Sequence, residues 1–480
     1  MSEDQILPGI SAEDWAATPP AVKALVLSLL DTVAALQKRV AELEERVNQN
    51  SRNSSKPPSS DPPNVPPPSK QTPSGRKAGG QPGHPGHGRA LKPVAEVSHL
   101  VIAKPIACGR CGALLLGEDP HPVRHQVTEL PRIEPEVTEY QQHTLTCLAC
   151  GTPTRAVWPT QMPSGSWGPR TQATVGYFTG RLGVSQRDVA ELLETVFHTD
   201  LSLGSIPAVE AEVSAALAKP VTDGVDYVQA QPRNNVDETS WPLGPHRGWL
   251  WANVTPFVTV FFLLTSRSAA AARQVIGALN DKIVGSDRYS AYTWMAVWLR
   301  QVCWAHLRRD FQAIAERGGE SARAGQALLA QAEQLFTLWH RVRAGPLSRA
   351  EFQVQVQPLR QRVGELLREG VQVAHPKTAA TCAKILQLEA ALWTFVDHEG
   401  VEPTNNAAER ALRRAVLWRR RSFGTQSESG SRFVERILTA VTTLRQQHRD
   451  VLDFLTDACA AAIAKRPAPS LLPNTQPVIS

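Results

Sequence analysis

Apolar residues recur at alternating spacings of four and three along residues 22–47, which is the pattern of a coiled-coil helix. Valine fills the a positions and leucine the d positions, with Val26, Val33, Val40 and Val47 at a and Leu29, Leu36 and Leu43 at d. This combination favours a parallel two-stranded coiled coil, in which Arg39 at g could reach Glu44 at e of the partner helix. We therefore predict a homodimer formed through residues 1–50. An amphipathic helix packed on its own domain is the alternative, and four unbroken heptads argue against it.

After Gln231 the pattern changes to short runs of β-branched and aromatic residues, which predict strands. The runs "NNVDETSW", "GWLWANVT" and "FVTVFFLLTS" predict three successive strands. A helix follows in "SAAAARQVIGAL", a fourth strand and a turn in "DKIVGSDRYSAY", and a short strand with a basic helix in "RQVCWAHLRRDF". Three strands followed by alternating helix and strand predict a mixed sheet with helices on its faces, a multidomain α/β protein.

Two helical patterns lie between Ser185 and Leu217, "SQRDVAELLETVF" and "IPAVEAEVSAAL", joined by a glycine-containing turn. We expect Ser205 to be the N-cap of the second helix. The layout is compatible with a helix-turn-helix, but the second helix carries glutamates and no arginine, so a structural helical pair is an equal alternative.

Composition separates a Ser-, Pro- and Gly-rich stretch, residues 51–97, from the periodic segments. It is almost free of large apolar side chains, so burial cannot offset the entropy of ordering it, and we predict disorder. Its cations could lie along phosphates, and Arg76, Lys77 and Arg89 are the candidates. A solvated linker without a binding role is the alternative. The formal charge of +6 and the pI near 9.0 favour an anionic partner without identifying it.

Four of the seven cysteines form two CxxC pairs, Cys108 with Cys111 and Cys147 with Cys150, each followed by a glycine. Two such pairs supply four thiolates to one tetrahedral Zn²⁺ ion, which would be structural because the shell is closed. We predict a zinc-ribbon-like module over residues 98–160, with strands filling the stretch between the pairs. Unligated buried cysteines are the alternative.

No signal peptide is visible, since the start "MSEDQILPGI" is acidic and lacks an apolar core. The run "PFVTVFFLL" is far shorter than the roughly 20 residues that span a bilayer. Free cysteines and the absence of targeting signals predict a soluble cytoplasmic protein without a membrane partner.

Two aspartates stand where a charge is costly in a strand, Asp237 inside the first strand and Asp287 at the end of the fourth. If these strands are neighbours, the carboxylates face each other, and at about 4 Å they repel by roughly 4 kcal/mol at an effective dielectric near 20. A divalent ion would relieve that repulsion, and oxygen ligands select Mg²⁺ or Mn²⁺. Glu409, in "NNAAERALRRAVLWRRR", would complete a two-metal site for phosphodiester chemistry. The alternative is a surface helix with a Glu409–Arg413 ion pair.

Around this glutamate the sequence concentrates polar and basic residues that could contact DNA: Asn405, Asn406, Arg410, Arg413, Arg414, Arg419, Arg420 and Arg421. A second group, His306, Arg308 and Arg309, begins the basic helix, where it could touch phosphate. Cys303 and His306 form a CxxH pair that could be half a metal site or a nucleophile pair. Because no second half is visible nearby, we favour a buried strand end for Cys303.

The order "VDET", "SDRYSAY", "CWAHLRRDF" and "NNAAERALR", preceded by the heptads, "NSSKPPSSD", "GGQPGHPGHG" and the paired CxxC segment, resembles the large transposase of the IS Sixty-Six family of bacterial insertion sequences. The resemblance covers nearly the whole chain. It implies a DDE transposase with an RNase H-like catalytic domain, in which Asp237, Asp287 and Glu409 match the acidic triad. It also implies that accessory proteins of the same element take part.

The resulting layout has eight segments: a coiled-coil helix (1–50), a basic linker (51–97), a zinc module (98–160), a helical domain (165–225), the first part of the catalytic domain (230–311), a helical insertion (312–400), its second part (401–465) and a tail (466–480). The expected reaction is cleavage at the element ends and joining of the 3′ hydroxyl to target DNA. Two alternatives stay open: a nuclease that hydrolyses without joining, and a catalytically inactive DNA-binding regulator.

Overall fold

The computed structural model describes residues 11–48 and 90–473. Residues 51–89 of the predicted basic linker, with its candidates Arg76, Lys77 and Arg89, lie outside the described residues. The last part of the predicted linker contains a short 3-10 turn, Val94–Glu96, and is ordered there against the prediction. Within the described part the chain forms two compact units. One comprises residues 90–136 with 196–198, and the other comprises residues 11–48, 137–195 and 199–473.

The N-terminal segment consists of two helices, α1 (Ala12–Ala17) and α2 (Pro20–Asn48). Ser11 caps α1 by accepting a hydrogen bond from the backbone N–H of Asp14. On α2 the heptad residues are open to solvent, and Leu29, Leu36 and Leu43 are 55%, 59% and 44% exposed. The long helix is therefore present as predicted, and its apolar stripe packs on nothing else in the chain that the structure describes.

By length and composition alone, Pro20–Val40 is also long and apolar enough to cross a bilayer, with a mean hydropathy of 1.4. The helix meets this criterion because alanines lie between its heptad valines and leucines. A criterion of length and hydropathy is weak evidence near an N-terminus.

Four helices precede the sheet: α3 (Pro169–Gly176), α4 (Gln186–Phe197), α5 (Ser205–Ala216) and α6 (Ala218–Ala230). A π-helical turn, Tyr177–Leu182, continues α3. The N-cap of α5 is Gly204, so Ser205 is the first helical residue and the predicted cap is wrong by one position. Because α5 buries Ile206, Val209 and Val213 against α3 and later helices, it serves as a structural helix and not as an exposed recognition helix.

The sheet has five strands in the spatial order β5-β4-β3-β6-β7. Their bounds are β3 (Arg233–Leu243), β4 (His246–Val254), β5 (Thr259–Leu264), β6 (Ile283–Ser286) and β7 (Arg300–Val302). The first three form an antiparallel meander, whereas β3, β6 and β7 run parallel. Helix α7 (Ala269–Ile276) connects β5 to β6. The predicted mixed sheet, with its strands in the predicted places, is confirmed.

A helical segment separates β7 from the last helices of the chain. It contains α8 (Trp304–Ala315), α9 (Gly319–Arg343), α10 (Arg349–Gln355), α11 (Gln357–Val371), α12 (Pro376–Leu386) and α13 (Thr394–Asp397). Their apolar faces share one core, in which the Trp339 ring lies 5.5 Å from Phe352 and 5.3 Å from Phe395. The core continues into α8 through the Trp304–Trp393 contact at 5.0 Å. The helical segment is thus attached rigidly beside β7.

The chain returns to the sheet through α14 (Asn406–Ser422), α15 (Glu428–Gln446) and α16 (Val451–Ile463). Ala408, Leu412 and Ala415 of α14 pack with Trp241 and Leu250 of the sheet. The opposite face packs against α7 and Tyr292, through Val236 and Trp251. Both faces of the sheet are therefore covered, and the end of β3 next to β6 remains available for polar side chains.

The paired CxxC segment contains little regular structure. A short antiparallel pair, β1 (Thr144–Thr146) with β2 (Pro153–Arg155), flanks the second CxxC. Between Leu114 and Thr144 no strand forms, so the expectation that strands fill this stretch was wrong. Alternation alone does not make a strand here, because the side chains of this stretch, such as Val123 and Leu130, stay exposed and gain nothing from pairing.

Candidate active site

Asp237 and Asp287 lie on neighbouring parallel strands. The β3–β6 register pairs Asn235 with Gly285, and two further steps along each strand reach Asp237 and position 287 at the same level. A Cβ at position 285 would lie 2.4 Å from the side-chain oxygen of Asn235, so a larger residue there would force the Asn235 side chain to move. Side chains alternate along β3, so Asp237 shares the face of Trp241, which packs against α14. The two predicted carboxylates are thus brought together on the side of the sheet that α14 covers.

Electrostatics at this position oppose ionisation of Asp237. Burial raises its pKa well above the ordinary value, and the charges of Glu238, Asp287 and Glu409 raise it further, while the backbone N–H of Glu238 lowers it. That N–H donates to Asp237 Oδ1 at 2.9 Å, and the N–H of Tyr289 donates to Asp287 Oδ1 at 2.9 Å. Both carboxylates accept a backbone hydrogen bond. The guanidinium groups of Arg267 and Arg300 act on Asp287, whereas only negative charges act on Asp237 among the described residues.

Glu409 comes to the same place from the first turn of α14. Its Oε1 atom lies 3.5 Å from His306 Nδ1 and 3.9 Å from Arg309 Nη2, both on α8, and its side chain is 34% exposed. The alternative of a surface Glu409–Arg413 pair is not what the chain forms. Its charge also acts on Asp237, so carboxylates from three separated parts of the sequence influence one another, although their oxygen atoms are not all within 4.8 Å of one another.

Asn405 holds the start of α14 instead of facing solvent. It is fully buried, its Nδ2 donates to the carbonyl of Val236 at 2.8 Å, and its backbone N–H donates to Cys303 Sγ at 3.1 Å. A fully buried side chain cannot contact DNA, so its assignment as a DNA contact was wrong. Its position next to Asp237 makes it a positioning residue that ties α14 to β3. The neighbouring Asn406 is exposed.

The arginines of α14 divide into anchored and free side chains. Arg414 Nε donates to the carbonyl of Arg181 at 3.0 Å, and Arg421 Nη1 donates to that of Gly183 at 3.5 Å. Arg419 is half-buried, and its Nη1 donates to Thr239 Oγ1 at 3.0 Å. These three were predicted as DNA contacts, but local acceptors already occupy them because the helix lies against the sheet edge and the π-helical turn.

Arg410 and Arg413 are the exposed pair on α14 that makes no hydrogen bond or ion pair with other described residues. Their guanidinium groups remain available for phosphate. Arg420 has a polar or electrostatic partner within the chain. On α8, Arg308 is exposed and lies over the Phe336 ring at 5.7 Å, whereas Arg309 is partly buried beside Glu409.

A buried network behind the carboxylates was missed from the sequence. Glu238 is turned to the opposite face of β3, where it accepts a hydrogen bond from Tyr292 Oη at 2.6 Å and from Arg267 Nε at 2.6 Å. The Arg267 guanidinium lies 3.7 Å from the ring centroid of Tyr289, which is two residues after Asp287. The only local signal was a second acidic residue in "VDET", which alternation places on the opposite face from Asp237. This network braces the turn that carries Asp287.

The two CxxC knuckles adopt the same local geometry, each within its own unit. In the first, the N–H of Gly112 donates to the carbonyl of Cys108 at 2.9 Å, and in the second Gly151 donates to Cys147 at 2.8 Å. Both glycines have a positive φ, 75° and 73°, which a side chain would strain. Backbone N–H groups lower the pKa of Cys108, and hydrogen bonding to Thr152 lowers that of Cys150. One thiol of each knuckle therefore forms more readily the thiolate that binds a metal.

Comparison with known proteins extends this picture. The model of the Transposase IS66 family matches residues 165–432, and the model of a family of unknown function matches residues 16–90. Uncharacterized protein y4qI of Sinorhizobium fredii is 28% identical, and the alignment covers 48% of each chain. Uncharacterized protein y4hP of the same organism is 24% identical over 78% of this chain and 74% of its own length. The chain thus spans about half the length of the first relative. The longest family match contains all three carboxylates of the site.

Proposed function

This chain belongs to the Transposase IS66 family, and from that membership and the geometry of the site we propose that it is a DDE transposase. It would cut DNA at the ends of an insertion sequence and join the freed 3′ hydroxyl to target DNA. The observation that carries the proposal is that the charges of Asp287, on the strand next to β3, and of Glu409, on α14, both act on Asp237. The alternation of one antiparallel meander with parallel strands supports the RNase H-like assignment of this sheet.

The residues of the site fit Mg²⁺. The donors are carboxylate oxygens, which this ion prefers, and burial with mutual repulsion raises the pKa of Asp237, so a divalent cation would relieve the strain of ionising it. Bound Mg²⁺ supplies activation of the attacking oxygen and stabilisation of the leaving oxygen of a phosphodiester. Mn²⁺ satisfies the same donor set.

The protein side chains would position the carboxylates and the DNA backbone. Asp237 and Asp287 are fixed by backbone N–H donors, and Asn405 fixes α14 so that Glu409 meets them. Arg410 and Arg413 would hold the DNA backbone beside the carboxylates, since both are exposed on the same helix as Glu409. Phosphate contacts of this kind orient the duplex without reading its sequence.

Two further parts of the chain would serve assembly. We propose that the exposed stripe of α2 forms a parallel coiled coil with a second copy, since eight apolar residues at heptad spacing stay exposed or half-exposed on an otherwise unpacked helix. We also propose that the CxxC cysteines ligate structural Zn²⁺, because each pair offers two thiols at metal-ligand spacing and hydrogen bonds lower the pKa of one of them, Cys108 in the first pair and Cys150 in the second. Accessory proteins of the same element are expected partners in addition to DNA.

The test is strand cleavage and joining on duplexes that carry the inverted repeats flanking the coding sequence, in Mg²⁺. Asp237→Asn, Asp287→Asn and Glu409→Gln should each abolish both steps, because carboxylates sharing two ions act as a unit. DNA binding should persist in all three. A matched control is Glu402→Gln, a glutamate just before α14 that contacts Trp339 Nε1 at 3.3 Å and should cut normally.

The outcomes separate the alternatives. Cleavage without joined product would assign a nuclease, and binding without cleavage by the wild type would assign a regulator. If Glu409→Gln cut normally while Glu402→Gln did not, the third carboxylate would be assigned wrongly.

A further inference from the structure

Three side chains of different donor chemistry meet where β7 passes into α8. Cys303 Sγ, His306 Nδ1 and a carboxylate oxygen of Glu409 all lie within 4.8 Å of one another. Cys303 is the N-cap residue of α8 and His306 follows one turn later, so both point to the same flank of the helix. Glu409 approaches from α14. The sequence showed no further ligand candidate near the CxxH pair, and in the folded chain Glu409 lies beside it.

The polar atoms of the cluster are independently left unsatisfied. His306 Nδ1 and Glu409 Oε1 are both buried, and neither has a hydrogen-bond partner among the described residues, although only 3.5 Å separates them. A buried polar atom without a partner destabilises the fold. A tetrahedral ion with ligands at about 2.0–2.1 Å holds neighbouring donor atoms about 3.4 Å apart. One ion placed between the two atoms would satisfy both.

We propose that Cys303, His306 and Glu409 bind one Zn²⁺-class transition-metal ion, distinct from the Mg²⁺ of the carboxylate site and from any ion of the CxxC knuckles. Thiolate and imidazole ligands select such ions over Mg²⁺. On binding, the Cys303 thiol releases its proton to solvent, and His306 ligates through Nδ1 while its proton stays on Nε2. Two negative ligands then balance the dication, and a fourth coordination position stays open.

The backbone supports this arrangement. The N–H of Asn405 donates to Cys303 Sγ at 3.1 Å, and the N–H of Cys303 donates to the carbonyl of Ser286 at 2.9 Å. These bonds fix the sulfur between the end of β6 and the start of α14, so the three donors are organised without an ion. Burial raises the pKa of the Cys303 thiol to about 11, and the hydrogen bond from the N–H of Asn405 offsets part of that rise. A bound ion would supply the rest of the energy that forms the thiolate.

Glu409 would belong to both the Zn²⁺ site and the Mg²⁺ site, so Zn²⁺ binding should regulate cleavage. This step rests on the proposed function. A Zn²⁺ ion on Oε1 withdraws charge from the carboxylate that would complete the Mg²⁺ site. Zinc should therefore inhibit Mg²⁺-dependent cleavage, and the inhibition should depend on Cys303, a thiol that the cleavage reaction itself does not use.

The binding test uses the full chain, equilibrium dialysis against buffered Zn²⁺ and elemental analysis. Cys303→Ser should bind one ion fewer per chain than the wild type, or bind it at least about 100-fold more weakly, since a lost ligand costs more than a lost outer-shell partner. Serine can still accept the hydrogen bond from Asn405, so the fold should hold, and a thermal melt checks it. His306→Ala should show the same loss.

The matched control is Cys459→Ser, which makes the same change at another buried thiol, on α16. It should bind as many ions as the wild type. Equal stoichiometry and affinity in the wild type, Cys303→Ser and His306→Ala would overturn the site.

The activity test adds Zn²⁺ to the Mg²⁺ cleavage assay and compares each variant with its own zinc-free rate. Wild type and Cys459→Ser should be inhibited at zinc concentrations at least about 100-fold lower than Cys303→Ser. Inhibition of Cys303→Ser at the wild-type concentration would overturn the shared role of Glu409. A wild type that binds the extra ion but never cleaves DNA would refute the transposase proposal and leave the ion site standing.

Discussion

Replacing Asp237 with asparagine should stabilise the metal-free protein even though it abolishes cleavage. Burial raises the pKa of Asp237 in the folded chain well above its ordinary value, and the charges of Glu238 and Asp287 raise it further. Ionising Asp237 therefore destabilises the fold. Asparagine has nearly the same shape, and its side-chain oxygen can still accept the hydrogen bond from the N–H of Glu238. The substitution removes the charge and keeps the packing.

The magnitude follows from the strand register. Level positions on neighbouring strands are about 4.8 Å apart, and two unit charges at that distance repel by about 3.5 kcal/mol at an effective dielectric near 20. Asp287 lies at a half-buried end of its strand, where solvent screens part of this repulsion. We therefore expect the free energy of unfolding to rise by about 1–3 kcal/mol, at about 2–4 °C of Tm per kcal/mol.

The pH dependence has a definite sign. Because the folded-state pKa of Asp237 is raised, the folded chain holds this proton to higher pH than the unfolded chain. The penalty is absent below the unfolded-state pKa of about 3.9 and grows as pH rises through the folded-state value. Wild type and Asp237→Asn should have equal stability near pH 3 and diverge toward pH 7.

The assay is urea or thermal unfolding in EDTA and in saturating Mg²⁺. Asp226→Asn, an exposed aspartate on α6, is the control and should leave stability unchanged. In Mg²⁺ the wild type should gain stability and the variant should not, because only the wild type retains all three carboxylates. An Asp237→Asn protein no more stable than the wild type in EDTA at pH 7 would refute the account of an uncompensated carboxylate cluster.

Four further changes test other parts of the molecule. Glutamine at the three d-position leucines of α2 should convert a dimer to a monomer in sedimentation equilibrium, and an unchanged oligomer would remove the coiled coil. Cys108→Ser should lower the zinc content by about one ion per chain in elemental analysis, and an unchanged content would exclude that knuckle. Neutralising Arg410 and Arg413 should weaken binding to DNA of any sequence and reduce the slope of log K against log salt concentration by about 2. Arg419→Gln should have a smaller effect. Equal effects of the two changes would contradict the anchoring of Arg419. Tyr292→Phe should lower the free energy of unfolding by about 1.5–3 kcal/mol in urea, because a charge-assisted bond to buried Glu238 is lost, and a neutral change would show that the network is not structural.

The strands were predictable because each carries its own local pattern. β-branched and aromatic runs marked β3, β4 and β5, and a charge inside such a run marked Asp237 as exceptional before its neighbours were known. The sequence did not predict that β3 pairs with β6; the expected meeting of Asp237 and Asp287 was conditional on that pairing. It brings together residues about 50 positions apart, and no periodicity within one segment encodes which segment lies beside it.

The state of individual polar side chains was less predictable for the same reason. Asn405 and Arg419 both lie in a polar, basic stretch, and the neighbouring sequence does not distinguish their environments. Asn405 is nevertheless fully buried, and Arg419 is hydrogen-bonded to the edge of β3. Arg419 and Thr239 are 180 residues apart. Whether a side chain contacts DNA or its own chain depends on acceptors that are distant in sequence. The sequence alone does not show which of these acceptors lie near a given side chain.

The charge order along α14 explains why one carboxylate persists among so many arginines. Glu409 is in the first turn, and Arg419, Arg420 and Arg421 are in the last. The helix dipole favours a negative charge at the first end and positive charges at the other, by about 0.3–1 kcal/mol each. Glu409 is therefore tolerated without a partner of its own on α14, and its charge stays directed at β3 and α8. The helix can then present a metal ligand at one end and phosphate-binding cations along its exposed side, because burial of Ala408, Leu412 and Ala415 fixes which side that is.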